Sequence, residues 1–184
     1  MIKKNIESIL GEIRVVFEPL DENQVSALLD EILKANKIVV CGAGRVGMAI
    51  RGFGMRLGHL GLQAFTLGDS VVPGIGADDL LIVASGSGET QTIYDLVEIA
   101  KKNGARLALV TGNPASRMGR LADIIVQIQA PSKTKAVEGL VSIQPMTTLN
   151  EQSLGIFFDA LVLDLMERME ETHDTMWARH SNLE

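Results

Sequence analysis

Aromatic residues make up only 4% of the 184-residue chain: five Phe, one Tyr and one Trp. So few rings leave little material for a surface that stacks nucleic-acid bases. The interior must instead be built from Leu, Ile, Val, Ala and Met. Cysteine is nearly absent. Cys41 alone allows no intrachain disulfide and excludes a thiolate metal cluster, and its place inside an apolar run marks it as a small buried hydrophobe. The three histidines, His59, His173 and His180, lack paired ligand spacing, so no metal is expected. No apolar run approaches the roughly 18–20 residues that span a bilayer. The lysines at Lys3 and Lys4 have no long apolar stretch behind them, so a secretory leader is not expected either. Basic charge is in deficit: 17 Lys and Arg against 23 Asp and Glu give a net charge of −6. That balance opposes nucleic acid and anionic membranes as partners. The exclusions together leave a cytoplasmic protein with a small-molecule partner.

What is present suits one packed domain. Apolar residues make up 46% of the chain and charged residues 22%, enough for a sizeable core under a soluble surface. Ile2, Ile6, Ile9, Leu10, Ile13, Val16 and Phe17 recur at helical spacing, and Pro19 ends that helix. Asp21 is placed to cap a second helix reaching about Ala35. Short β-branched or apolar runs follow at 37–41, 62–67, 80–84, 106–111 and 123–128, with helical patterns over 46–60 and 91–103 and a brief helix over 116–121. Residues 130–146, which include Lys133 and Lys135, read as a long loop. Thr148 then opens a long helix to about Glu171, and a compositionally distinct tail, 176–184, closes the chain. Trp177 in that tail predicts docking, since a large apolar side chain gains from burial. Strands that alternate with helices imply right-handed crossovers and an α/β fold: a parallel sheet with helices on both faces. There is no internal repeat or linker. The expected layout is one domain over 1–184, with N-terminal helices at 1–35, a ligand-binding core at 36–130, and a C-terminal helix and tail at 148–184.

Such sheets bind ligands beyond the carboxyl ends of their strands, and two glycine-rich turns fall there. The stronger signal is Ser85-Gly86-Ser87-Gly88-Glu89-Thr90, between the third strand and a helix start. Glycines let backbone N–H groups approach a small anion. Ser85, Ser87 and Thr90 add hydroxyls, and the helix adds its positive end. Hydroxyls, glycines and a helix start coincide there, which is the make-up of a phosphate site. There is no P-loop lysine, so a small phosphorylated metabolite fits better than a nucleotide. The first turn, Gly42-Ala43-Gly44-Arg45-Val46-Gly47, has dinucleotide-fingerprint spacing, but no acidic residue ends the next strand at 62–67. Asp69 lies just beyond, so that pattern stays open. Arg45 reads either as a clamp on a phosphate or hydroxyl or as a solvated residue at a helix start. Glu151 reads either as half of a Thr148–Glu151 capping box or as a general base.

These residues resemble the sugar isomerase (SIS) domain family. The resemblance rests on Ser85–Thr90 and on Gly42-Ala43-Gly44-Arg45. Within the family the chain is similar, over nearly its whole length, to the 6-phospho-3-hexuloisomerase branch. The marks are Met55-Arg56-Leu57-Gly58-His59-Leu60-Gly61, Leu149-Asn150-Glu151-Gln152 and the terminal Arg179-His180-Ser181-Asn182-Leu183-Glu184. The resemblance implies a three-layer αβα sandwich around a five-stranded, flavodoxin-like parallel sheet. It implies a homotetramer with sites between subunits, and interconversion of 3-hexulose 6-phosphate and fructose 6-phosphate through a cis-enediol, without a cofactor. It places the phosphate on Ser85, Gly86, Ser87, Gly88, Glu89 and Thr90. Gly44 and Arg45 would contact the substrate, and Glu151 and His180 would be the acid/base pair. Val46 stands where the family commonly has Ser, and the 68–73 loop lacks expected threonines. Both departures bear on which sugar phosphate is bound. The neighbouring readings are an isomerase of arabinose 5-phosphate or sedoheptulose 7-phosphate, and a non-catalytic sugar-phosphate-binding module.

Overall fold

The computed structural model describes residues 1–132 and 136–183; Lys133 and Lys135 of the expected loop, and Glu184 of the tail, lie outside them. Two helices come first, α1 (Ile2–Phe17) and α2 (Glu22–Lys34). Asp21 caps α2 by accepting the Asn23 N–H at 2.9 Å. Then β1 (Ile38–Gly42), α3 (Gly44–His59), β2 (Ala64–Thr66), β3 (Leu80–Ala84), α4 (Gln91–Lys102), β4 (Arg106–Thr111) and β5 (Ile124–Gln127) alternate. The long α5 (Thr148–Arg168) and the short α6 (His173–Trp177) complete the chain. The five strands are all parallel in the order β2-β1-β3-β4-β5. This is the flavodoxin-like order, in which the direction of winding reverses beside β1.

Side-chain parity along the strands divides the core in two. Ile38, Val40, Leu80, Ile82, Ala108 and Val110 face one side, where α1, α2, α3 and α5 bring Val16, Leu28, Ile32, Ile50, Phe53, Phe158 and Leu161. Phe53 of α3 and Phe158 of α5 stack there at 4.9 Å between ring centroids. Val39, Cys41, Leu81, Val83, Leu107 and Leu109 face the other side, against Ile93, Val97 and Ala100 of α4. The sandwich is therefore lopsided, with four helices on one face and one helix plus loops on the other. Cys41 is buried as expected, and burial pushes its thiol up to about 11.

Four sequence expectations fail locally. Residues 116–121 form turns, not a helix. The Gly119 N–H donates to the Ser116 hydroxyl at 3.1 Å, a local bond that competes with a helical ladder. The second strand is only three residues long, because it is a half-buried edge. Ile2, Ile6 and Leu10 keep helical spacing but remain exposed, and α1 buries only Ile13 and Val16. Trp177 is 65% exposed. It stacks at the surface between His173, at 6.0 Å, and His180, at 5.1 Å, and does not enter the core.

Candidate functional site

Gly42 at the end of β1 pairs in register with Ala84 at the end of β3. The two glycine-rich turns therefore leave the sheet side by side, at the point where strand order reverses and open α/β sheets place their ligand crevice. A Cβ at Gly47 would lie 2.6 Å from the Gly42 carbonyl oxygen, so a side chain there would block the tight entry into α3. That entry carries Arg45 to the rim. The cleft, of about 200 Å³, is walled by Ala43–Val46, by Ala84–Ser87 with Thr90 and Ile93, by Ser132, and by Thr147, Asn150 and Glu151.

The serine turn is built to present donors. Ser85 Oγ accepts the Gly88 N–H at 3.2 Å and Ser87 Oγ accepts the Glu89 N–H at 3.1 Å, which leaves each hydroxyl proton for a ligand. The N–H groups of Gly86, Ser87 and Thr90 make no hydrogen bond among the described residues. Thr90 is the N-cap of α4, yet its hydroxyl caps nothing. Free amides and hydroxyls at the positive end of a three-turn helix suit an anion.

Gly88 and Glu89 do not line this cleft. They brace the turn from behind. Gly88 has φ of +66°, and a Cβ on it would sit 2.0 Å from Ser116 Oγ. Glu89 accepts the Arg117 backbone N–H at 2.9 Å and pairs with Arg117 Nε at 3.2 Å, while Arg117 Nη2 donates to the Glu89 carbonyl at 2.6 Å. The serine turn is thereby fastened to the turns that replace the expected helix over 116–121.

The start of α5 forms the facing wall. Its N-cap is Thr147, not Thr148, and no side chain caps it. Thr147 Oγ1 donates to Glu151 Oε1 at 2.8 Å, whereas Thr148 Oγ1 donates to the Pro145 carbonyl at 2.7 Å and accepts from Arg45 at 3.3 Å. The expected Thr148–Glu151 capping box is thus absent, because Thr148 is drawn back toward Pro145. Glu151 Oε2 meets Arg45 Nη1 at 3.2 Å, with the two side chains 15% and 53% exposed. A pair so open to water contributes at most about 1 kcal/mol to stability. What the pair sets is orientation: the carboxylate faces the cleft, held from both sides.

Three polar residues on the cleft wall, Thr147, Asn150 and Ser132, stand outside the set of site residues read from the sequence. Asn150 is 2% exposed, and its Nδ2 has no acceptor among the described residues. Leaving a buried donor unpaired costs roughly 1–3 kcal/mol. Ser132 Oγ is likewise buried, with no hydrogen-bond partner among the described residues. In the sequence Asn150 stands out only within the Leu149-Asn150-Glu151-Gln152 stretch similar to the isomerase branch, with no role attached to it. Ser132, in an irregular loop, gives no signal.

Gly44, Arg45, Ser85, Gly86, Ser87, Thr90 and Glu151 thus share one cleft. His180 does not. It lines a second cavity with Arg56, His59, Met176 and Trp177, its ring 5.2 Å from that of His59. Arg179 fixes this tail by donating to Glu171 twice at 2.8 Å and to the His59 carbonyl at 3.0 Å. Its guanidinium holds the Glu171 carboxyl down at about 2. Among the described residues, no group of three or more His, Cys, Asp and Glu could hold a metal ion, and no helix is long and apolar enough to cross a membrane.

The chain matches known proteins in sequence and in fold. The SIS domain family model matches residues 31–154. A 3-hexulose-6-phosphate isomerase from Mycobacterium gastri is 39% identical, over 100% of this chain and 92% of that protein. One from Bacillus subtilis is 36% identical over 97% of both. A crystal structure from Methanococcus jannaschii, from which the molecular function of a 3-hexulose-6-phosphate isomerase was inferred, superposes with a TM-score of 0.85 at 29% identity, covering 98% of this chain and 99% of that one. The chain belongs to the SIS domain family and, within it, to the 3-hexulose-6-phosphate isomerases.

Proposed function

We propose that this protein is the isomerase that interconverts 3-hexulose 6-phosphate and fructose 6-phosphate, with the cleft between β1 and β3 as its active site. The observation that carries the reading is the pairing of opposite walls: the unpaired donors of Ser85–Thr90 face the same cleft as the Glu151 carboxylate. In the proposed site the phosphate rests on Ser85, Gly86, Ser87 and Thr90, with Gly88 and Glu89 holding that turn in shape. Binding energy gained there, remote from the reacting carbons, orients the ketose. Glu151 takes the proton from C2, beside the C3 carbonyl, while that carbonyl oxygen gains a proton and a cis-enediol forms. Loss of the proton on O2 and return of a proton from Glu151 to C3 give the 2-ketose. Arg45 steadies the carboxylate and reaches the sugar hydroxyls. His180 moves the oxygen-bound protons.

In this scheme His180 belongs to a second copy of the chain. Within one copy it lies at His59 and outside the cleft, so the reading requires a second copy of the chain, which the homotetramer implied by the family resemblance would supply. The expected setting is cytoplasmic sugar-phosphate metabolism, in formaldehyde fixation or pentose supply.

Incubation with 3-hexulose 6-phosphate should yield fructose 6-phosphate, and in deuterated water the product should carry deuterium at the carbon that received the proton. Arabinose 5-phosphate in parallel tests the neighbouring isomerase. Turnover of that sugar alone would overturn the assignment of substrate, as would turnover of sedoheptulose 7-phosphate alone, and turnover of none of the three would leave a binding module.

A further inference from the structure

Asn150 has a role that the acid/base scheme leaves unused. It sits in the first turn of α5, between core-facing Leu149 and the proposed base, and its carboxamide is packed on the serine turn. A Cβ built on Gly86 would lie 2.7 Å from Asn150 Oδ1 and 3.3 Å from Nδ2, so the amide occupies the space that any larger residue at 86 would need. Gly86 is thus small because Asn150 lies over it. Asn150 Nδ2 is buried without an acceptor, on the wall of a cleft whose nearest backbone donors, the N–H groups of Gly86 and Ser87, are also unpaired. Buried polar groups are almost always satisfied, and one that is not asks for a partner from outside the chain. Here the unpaired N–H groups of Asn150, Gly86 and Ser87 belong to one cleft wall, so an acceptor shared among them would satisfy all three.

We infer that the Asn150 carboxamide is a phosphate ligand, donating from Nδ2 to the ester that the serine turn holds. The inference rests on the sugar-phosphate reading of the cleft. It makes Asn150 the link between the two walls: one residue on α5 touches the phosphate and the next acts on the carbon chain, so the helix sets the distance between them. A simple packing role on Gly86 would need the shape of the side chain but not its N–H.

Asn150→Asp separates the two roles, because it keeps the shape and replaces the donor with an anionic acceptor. Binding of inorganic phosphate and of fructose 6-phosphate is measured by calorimetry for wild type and variant, at pH 8 and at pH 5. At pH 8 the variant should bind both ligands about ten- to a hundredfold more weakly, as for a lost hydrogen bond to a charged group. The ratio to wild type should narrow at pH 5, because burial beside the bound anion raises the new carboxyl toward that range and a protonated carboxyl can donate. Asn150→Ala should show the same weakening with no recovery at low pH, and its melting temperature serves as the check on folding. Affinity of Asn150→Asp equal to wild type at pH 8, or a deficit that is the same at both pH values, would overturn the inference. Phosphate affinity judges Asn150 whichever sugar is turned over. Wild-type turnover of 3-hexulose 6-phosphate judges the function separately.

Discussion

Glu151 and Arg45 show how little an ion pair in the proposed active site needs to contribute to the fold. Their contact is 3.2 Å but half open to water, so breaking it changes stability by no more than about 1 kcal/mol. Its value is in placing one carboxylate. Glu151→Gln keeps the shape and the Thr147 contact but cannot accept a proton from carbon. It should retain fructose 6-phosphate binding within a few fold and lose about a hundred- to ten-thousandfold in kcat, the usual contribution of a general base. Direct binding and steady-state assays on the same preparation check this, and near-normal kcat removes Glu151 from the role. Glu151 was legible in the sequence as a choice between cap and base. The structure removes the cap reading, because Thr148 turns to Pro145 and Arg45. Nothing in the residue order distinguished Thr147 from Thr148, since both precede the same helix and either hydroxyl fits the pattern.

At the scale of elements, the serine turn is stiffened from outside its own sequence. Gly88 combines a left-handed φ with a side-chain position filled by Ser116. Gly88→Ala should therefore destabilise the protein by at least about 2 kcal/mol, combining backbone strain with overpacking. Urea denaturation checks the value. A second brace acts on the opposite wall. Glu12 of α1 accepts hydrogen bonds from Ser142 at 2.7 Å, the Ile143 N–H at 2.8 Å and Gln144 at 2.9 Å, which ties the loop before α5 to the N-terminal helix. Burial raises the Glu12 carboxyl, but the three donors outweigh it and leave it below its usual 4.5. A carboxyl lowered in the folded state stabilises above its unfolded pKa and loses that contribution as pH falls through the folded value. The tie should hold at neutral pH and release only in acid below 4.5. Limited proteolysis of the 136–146 loop should be slow at pH 7 and accelerate in Glu12→Ala; equal rates would show that Glu12 does not restrain it. No pattern in the sequence joins residues 12 and 142, because the bond depends on how α1 packs beside α5.

For the whole molecule, the open question is how many chains complete one site. Ile2, Ile6 and Leu10 of α1 and Met48 and Met55 of α3 leave apolar area in water, and His180 is held away from its own cleft by the Arg179–Glu171 pair and the contact with His59. If Glu151 and His180 meet across a subunit boundary, Glu151→Gln and His180→Ala should each be nearly inactive alone. Mixed, unfolded together and refolded, they should recover a measurable fraction of wild-type turnover, since some boundaries then join an intact Glu151 to an intact His180. No recovery, with both variants eluting at the mass of the wild-type oligomer, would place both residues in one chain or remove His180 from the chemistry.

Residue order was enough to predict the alternation of strands and helices, the parallel sheet and the position of both glycine-rich turns, because these follow from local periodicity and from residues that act within a few positions of each other. Ser85, Ser87 and Thr90 could be read for the same reason: turn, hydroxyls and helix start are contiguous. Tertiary structure alone decided which groups face the cleft. Glu89 turned away to Arg117, His180 went to His59, and Asn150 Nδ2 and Ser132 Oγ arrived at the wall without a partner among the described residues. Each of those outcomes depends on packing between segments far apart along the chain, and the direction a side chain takes there is set by the space its neighbours leave.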